Sequence, residues 1–136
     1  MKVIRRTLLV LTIAYWLLAL LMTHLPKPPA LGPSVGDKGQ HLVGYGLLAA
    51  MLFLTLWICR PTLRWIGGYV LLTVLVYGLI DEMTQPLTGR SCDIYDWLAD
   101  LAGAGMAVGL LSGVKWLWRG RPGVRRVPEM VEAGRS

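Results

Sequence analysis

The apolar residues of this chain fall into four long runs, over about residues 7–25, 42–59, 65–80 and 94–114. These runs lack the short periodic stripes that are typical of amphipathic surface helices. The first run contains no Asp, Glu, Lys or Arg, and at about 1.5 Å per residue its length approaches the ~30 Å thickness of the hydrocarbon core of a bilayer. Because backbone polar groups in lipid must be satisfied within the segment, we predict an all-α membrane protein with four transmembrane helices.

The composition agrees with a lipid environment and excludes several other classes. A hydrophobic content of 54% and a mean hydropathy of +0.53 exceed what a soluble domain usually carries. An outer-membrane barrel would need alternating polar and apolar residues, which the runs lack. The first run is too long for the apolar core of a secretory signal peptide and lacks a clear cleavage pattern, so we expect it to be retained. Residues 1–118 are predicted to form one four-helix domain, followed by a basic, disordered cytosolic tail over 119–136.

The distribution of charge predicts the orientation of the helices. If the amino terminus is cytoplasmic, all but three of the fourteen Lys and Arg residues are also cytoplasmic, the exceptions being Lys27, Lys38 and Arg90. Short loops that carry Lys and Arg stay in the cytoplasm, so both ends of the chain are predicted to be inside. The net charge of +6 follows from this topology and from contact with anionic lipid headgroups, and we expect no nucleic-acid partner.

Polar residues gather at the predicted outer face, first at the start of the second helix. Asp37, His41 and Tyr45 recur at four-residue steps and therefore share one helix face, with Lys38 beside them. An acid at this position also favours the positive end of the helix dipole. An imidazole at a membrane boundary needs a polar partner, so His41 is the residue that helix initiation explains least well.

The end of the third helix carries a second polar group. Pro86 is predicted to move Gln85 out of helical geometry and to end the helix with Glu82 and Gln85 close together. Asp81 and Glu82 would then face the negative end of the helix dipole, which requires compensation by external cations. The cations expected to provide it are Arg90, Lys38 and His41.

The fourth helix begins with three aspartates on one stripe. Asp93, Asp96 and Asp100 are spaced at i, i+3 and i+7, which places Asp100 roughly 10 Å deeper than Asp93. Helix capping explains Asp93, whereas Asp96 and Asp100 cost several kcal/mol unless they face the bundle interior and are paired or protonated. Below them a surface of small residues predicts close helix packing: Gly103, Ala104, Gly105, Ala107 and Gly109.

These motifs, in this order, resemble the VanZ-like family of small bacterial membrane proteins. The matching residues are Asp37-Lys38-x-x-His41 with Tyr45, Glu82-x-x-Gln85, and Arg90-x-x-Asp93-x-x-Asp96 followed by Gly103, within residues 37–109. The family pattern usually has Asn at the position of Asp100. The resemblance implies a four-helix domain in the bacterial cytoplasmic membrane. The family is named for a protein associated with teicoplanin resistance, but the resemblance supplies no mechanism and supports an envelope role better than resistance itself.

The leading functional hypothesis is an outward-facing pocket that binds an amphiphile or a lipid-linked cell-wall precursor. The motivation is charge of both signs where a lipid headgroup would lie. The candidate ligand-binding residues are Asp37, Lys38, His41, Tyr45, Glu82, Gln85, Arg90, Asp93, Asp96 and Asp100.

Two alternatives use the same residues. In a membrane-embedded enzyme, His41 would be a general base or metal ligand, Glu82 or Asp96 a general acid, and Arg90 a phosphate ligand. A divalent metal is chemically reasonable with such donors, although the spacings match no recognised metal motif. In the second alternative, the polar residues are a structural network that joins the helices. The sequence leaves the oligomeric state open.

Overall fold

The computed structural model describes residues 2–26 and 36–119 and contains four long helices and no strand within those ranges. The helices are α1 (Lys2–Thr23), α2 (Asp37–Cys59), α3 (Ile66–Thr84) and α4 (Ile94–Arg119), and a short 3₁₀ helix (Gln85–Thr88) follows α3. Each long helix is long and apolar enough to cross a membrane, α3 being counted together with the 3₁₀ turn. The prediction of an all-α protein with four transmembrane helices is confirmed. The tail predicted to be disordered lies outside the described residues beyond position 119.

Several helices extend beyond the apolar runs that predicted them. Helix α2 begins at Asp37, five residues before the second run, and α4 continues to Arg119, five residues past the fourth. Hydropathy marks the part of a helix that suits lipid, whereas backbone hydrogen bonding continues into polar turns wherever the charged side chains have partners. At Lys38 that partner is Asp93, with 2.7 Å between the Lys38 Nζ and Asp93 Oδ2 atoms.

The four helices run alternately up and down. Thr23, at the end of α1, donates a hydrogen bond of 2.9 Å to Asp81 near the end of α3. Lys38 and Asp93 join the starts of α2 and α4 at the same level. We call this end of the bundle, with residues 23–26, 36–45 and 81–100, the polar end. The opposite end, where α2 stops at Cys59 and α3 starts, is called the basic end.

Helix α2 is central, because it contacts each of the other three, and its contact with α4 is the most extensive. Two glycines make this close approach possible. A Cβ atom added at Gly103 on α4 would overlap the backbone carbonyl of Leu42 on α2, and one added at Gly46 would lie 3.2 Å from the Gly103 carbonyl oxygen. The start of α2 is thereby held directly against α4, just below the polar end.

The predicted small-residue surface of α4 is confirmed in part. Ala104 is fully buried and Ala107 packs against the core. Gly105 and Gly109 instead have open space where a side chain would project, so the prediction was wrong for them. The reason is helical periodicity, since positions two and six residues after Gly103 lie on the far side of the helix.

Helix α1 is attached to the bundle more loosely than the others. Thr12 is its one buried residue, and the Thr12 and Thr55 hydroxyl oxygens are 2.8 Å apart. The Tyr15 hydroxyl donates a hydrogen bond of 2.9 Å to the Gly44 carbonyl of α2. The remaining apolar side chains of α1 are mostly exposed, as expected for a helix that faces lipid.

The α2–α4 contact gives a matched pair of substitutions. Gly103→Ala is expected to lower the free energy of unfolding by at least about 2 kcal/mol, because the added methyl group meets rigid backbone. Gly105→Ala adds the same group in open space and is expected to be neutral or to stabilise by up to about 1 kcal/mol through helix propensity. Thermal unfolding of both variants in detergent tests this, and equal stability of the two would contradict the packing described.

Candidate functional site

Seven polar side chains at the polar end are buried. They come from α2, from α3 with its 3₁₀ extension, and from α4, because these elements start or stop at this level. They are His41, Tyr45, Asp81, Glu82, Gln85, Asp96 and Asp100. Four of the seven are carboxylic acids, which are costly to bury in a membrane-spanning bundle unless they have partners.

His41 lies at the centre of this group. Its Nδ1 atom is 2.9 Å from Asp100 Oδ1 and 3.9 Å from Glu82 Oε1. Its Nε2 atom is 3.9 Å from Asp96 Oδ2. One imidazole from α2 therefore faces carboxylates from both α3 and α4. The expectations that His41 needs a polar partner and that Asp96 and Asp100 face the interior are confirmed.

The end of α3 holds Glu82 in a defined orientation. Gln85 donates a hydrogen bond of 2.8 Å to Glu82 Oε1, and the Asp93 backbone N–H donates one of 3.0 Å to Glu82 Oε2. Glu82 and Gln85 are adjacent as predicted, but Gln85 keeps helical dihedral angles (φ −54°, ψ −37°). The prediction that Pro86 moves Gln85 out of helical geometry was wrong. Pro86 lies in the first turn of the 3₁₀ helix, where its missing N–H costs no hydrogen bond.

Asp81 is bound by side chains from α1 and α2. The Tyr45 hydroxyl donates to Asp81 Oδ2 at 2.8 Å, and the Thr23 hydroxyl donates to Asp81 Oδ1 at 2.9 Å. His24 follows directly, with its Nδ1 atom 3.5 Å from Asp81 Oδ1 and its Nε2 atom 3.0 Å from the Thr84 hydroxyl. The polar turn after α1 is therefore part of the network at the polar end.

The lysine and the arginine of the polar end, Lys38 and Arg90, form an outer layer and do not compensate Asp81 and Glu82. Lys38 contacts Asp93 at 2.7 Å and Asp96 at 3.3 Å. Arg90 contacts Asp37 at 2.7 Å. The prediction that Lys38 and Arg90 compensate the acids at the end of α3 was therefore wrong, and only His41 among the three expected cations approaches Glu82.

Asp93 combines a capping role with this ion pair. Its Oδ1 atom accepts the Tyr95 backbone N–H at 2.9 Å, which confirms the predicted cap of α4. Its Oδ2 atom accepts a hydrogen bond from Lys38. The Lys38 ammonium, and to a lesser extent the Tyr95 N–H, hold the pKa of the Asp93 carboxyl below its ordinary value. Asp93 thus stays ionised where the chain enters α4.

A cavity of about 290 Å³ lies between α1 and α2 and reaches the polar end. Its apolar wall includes Leu18, Ala19 and Met22. Its polar lining includes Asp37, His41 and Arg90, and Tyr45 also contributes. The three residues predicted to share a face of α2 thus do so. His41 belongs both to the cavity wall and to the carboxylate group behind it.

All ten predicted ligand-binding residues lie at the polar end, but at different depths. Asp37 and Lys38 are exposed and Asp93 is partly exposed, whereas Tyr45 and Asp100 are buried. Helix α1 and the turn after it also contribute, through Tyr15, Thr23 and His24, which were not predicted as site residues. The available signal was the Thr23-His24 pair at the end of an otherwise apolar run, since polar residues at a helix end need partners.

Two overlapping sets of donors at the polar end have the spacing of metal ligands. In each set, one potential ligand atom from each residue lies within 4.8 Å of the others. The sets are Asp37, His41 and Asp96, and His41, Glu82 and Asp100. Only the second set is buried at all three positions.

The chain matches the VanZ/LLP1 family over residues 7–118, which includes all of α2 and α3, most of α1 and nearly all of α4. The protein therefore belongs to the VanZ/LLP1 family, which confirms the resemblance based on the motifs around Asp37, Glu82 and Arg90. No curated protein and no solved structure matched the chain.

The Tyr45–Asp81 hydrogen bond can be tested by removing a single oxygen atom. Tyr45→Phe is expected to lower the free energy of unfolding by about 1–3 kcal/mol, because it leaves a buried carboxylate with one donor fewer. Tyr69→Phe is the control, since Tyr69 is 52% exposed and should change stability little. Thermal unfolding in detergent measures both, and an equally small effect of the two substitutions would contradict the network around Asp81.

Proposed function

We propose that this VanZ/LLP1-family membrane protein presents its polar end at the outer surface of the bacterial cytoplasmic membrane and binds an amphiphile or lipid-linked cell-wall precursor there. The observation that carries the proposal is the cavity between α1 and α2, which joins an apolar wall to Arg90, Asp37 and His41. An amphiphile needs both parts, with its chain against the apolar wall and its headgroup at the polar end.

The orientation in this proposal rests on the charges at the two ends of the bundle. Arg60 and Arg64 lie between α2 and α3 at the basic end, and Lys2, Arg5 and Arg6 lie at the start of α1 at that same end. Short segments rich in Lys and Arg remain in the cytoplasm, which leaves the polar end outside. The headgroups of extracytoplasmic lipid intermediates lie at this level.

Arg90 is the proposed ligand for an anionic headgroup. Its side chain is only 10% exposed, and it is held by Asp37 at 2.7 Å and by the Thr23 carbonyl at 3.2 Å. A guanidinium carries five N–H donors in a planar fork, so it can bind phosphate or carboxylate while it keeps the contact with the Thr23 carbonyl. Asp37 is 47% exposed and can turn toward solvent when an anion arrives.

The size of the cavity limits what it can hold. A volume of about 290 Å³ is at the lower end of the ~300–1,000 Å³ typical of ligand pockets. It suits one chain segment with part of a headgroup better than an entire lipid. Because α1 is loosely packed, the rest of a bound amphiphile can extend into the surrounding bilayer. The proposed link to teicoplanin resistance is supported by the family resemblance alone.

A specific observation also favours a second candidate, an enzyme that acts on a lipid or phosphate headgroup. His41 lines the cavity, and its Nδ1 atom contacts a buried carboxylate, Asp100, at 2.9 Å. A carboxylate that orients a histidine is the usual support of a general base. In this candidate Glu82 or Asp96 would supply the proton. Turnover of a bound headgroup, as opposed to its retention, would distinguish the enzyme from the binding protein.

The proposed orientation can be tested with the two native cysteines. Cys92 is exposed at the polar end, and Cys59 lies at the basic end. With Cys59→Ser, the remaining Cys92 is expected to react with a membrane-impermeant maleimide on intact spheroplasts. With Cys92→Ser, the remaining Cys59 should react only after the membrane is permeabilised. Labelling of Cys59 alone on intact spheroplasts would reverse the proposed topology.

The proposed binding mode can be tested by filling the cavity. Ala19→Trp places a large side chain against the cavity wall and is expected to reduce crosslinking to a photoactivatable polyprenyl phosphate at least ~10-fold, a loss of about 1.4 kcal/mol of binding. Ala14→Trp is the matched control, because Ala14 is exposed on the same helix and is not part of the cavity lining. A photoactivatable phosphatidylglycerol measures selectivity for the headgroup. Undiminished crosslinking in a folded Ala19→Trp variant would remove the cavity from the proposal.

A further inference from the structure

The carboxylates at the polar end do not have equal access to positive charge. Asp96 contacts Lys38 at 3.3 Å, and Asp81 has two hydroxyl donors with His24 beside them. Glu82 and Asp100 differ, because their side chains are 2% and 0% exposed and His41 is the titratable cation near them in the described chain. When both carboxylates are ionised, a single imidazole leaves negative charge uncompensated even in its protonated form.

The surroundings of Glu82 and Asp100 also contain more hydrogen-bond acceptors than donors. Asp100 Oδ2 and Gln85 Oε1 are buried and have no hydrogen-bond partner in the described part of the chain. Buried acceptors normally have a partner, and each that lacks one requires an explanation. A bound cation would supply the positive charge that this surplus of acceptors lacks.

The geometry of His41, Glu82 and Asp100 suits direct coordination. Atoms bound to one metal ion at about 2.0–2.2 Å are separated by roughly 3–4 Å from one another. His41 Nδ1 lies 2.9 Å from Asp100 Oδ1 and 3.9 Å from Glu82 Oε1. The donors come from three different helices, and Glu82 is oriented by Gln85 and by the Asp93 N–H. Such supporting hydrogen bonds are what fix metal ligands in place.

The competing set of Asp37, His41 and Asp96 is less suitable. Asp37 is bound to Arg90 and is 47% exposed, and Asp96 already contacts Lys38. A cation placed among these residues would have to compete with ion pairs that already exist. The described contacts that would compete with an ion at the buried set are the His41–Asp100 hydrogen bond and the Gln85 hydrogen bond to Glu82 Oε1.

We propose that His41 Nδ1, Glu82 and Asp100 bind one divalent transition-metal ion of the Zn²⁺ or Mn²⁺ class. One imidazole with two carboxylates is a mixed nitrogen and oxygen donor set, which suits these ions better than Mg²⁺ or Ca²⁺, whose ligands are oxygens. His41 also lines the cavity between α1 and α2, which provides a route for the ion. This inference does not depend on whether the cavity binds an amphiphile.

The test uses the full chain in lipid nanodiscs, with any affinity tag removed, stripped with chelator and then titrated separately with Zn²⁺ and Mn²⁺. The expected result is one tightly bound ion per chain by mass spectrometry of metal content. Glu82→Gln and Asp100→Asn should each weaken binding at least ~10-fold, which is about 1.4 kcal/mol. Asp37→Asn should bind as the parent does, and so should Ala19→Trp, which separates this result from failure of the proposed amphiphile site.

Less than one bound metal ion per chain in the parent would overturn the proposal. So would binding that survives Glu82→Gln and Asp100→Asn but is lost in Asp37→Asn, because the ion would then lie in the outer set. If the variants do not fold, a measurement on the parent alone still tests the site. Bound Mn²⁺ should show electron-spin-echo modulation from a directly coordinated imidazole nitrogen, and a spectrum with oxygen and water ligands only would also reject the site.

Discussion

The structure depends on the cost of burying carboxylates at one end of a membrane-spanning bundle. Asp81, Glu82, Asp96 and Asp100 are each at most 3% exposed, and an isolated carboxylate in such a place would cost many kcal/mol. Each of them requires donors from other helices. The polar end therefore determines which helix ends must meet, independently of the apolar packing below it.

Close packing of α2 against α4 is what brings these donors into range. Gly103 and Gly46 allow the two backbones to touch, and one turn toward the polar end this contact places His41 against Asp100. Helix α1 makes the opposite contribution. It is held by a few polar contacts, including those of Thr12 and Tyr15, and its loose packing leaves the cavity that reaches His41. The tight packing of α2 against α4 buries His41 beside Asp100, and the loose packing of α1 leaves a cavity that reaches His41.

The helices and much of the placement of their polar residues could be predicted from local sequence patterns. The four apolar runs predicted the helices, since in lipid the backbone has few alternatives. The depth of Asp96 and Asp100 predicted that they face the interior, because lipid contact would be too costly. The spacing of Asp37, His41 and Tyr45 predicted their common face. Helix formation, depth in the membrane and a shared helix face depend on a single helix and its solvent. They can therefore be predicted from the sequence of that one segment.

Several of the errors concern which side chains meet across helices. Arg90 pairs with Asp37, and Asp81 takes donors from Thr23 and Tyr45. Charge type and approximate height do not decide between such partners; the rotation of each helix and its distance from the next one do. His24 was hidden for a related reason, since it lies in a run that hydropathy assigns to lipid.

We infer that Glu82 and Asp100 join the helices through hydrogen bonds, whereas their negative charges serve a ligand. The most direct measurement is the thermal stability of a Glu82→Gln, Asp100→Asn double variant, purified without added ligand beside the stripped parent. Both substitutions preserve shape and remove charge, and neutralising uncompensated buried charge is expected to leave stability unchanged or raise it. Equal or higher stability is the predicted result. A markedly less stable variant would mean that the polar end is a structural network whose charges join the helices.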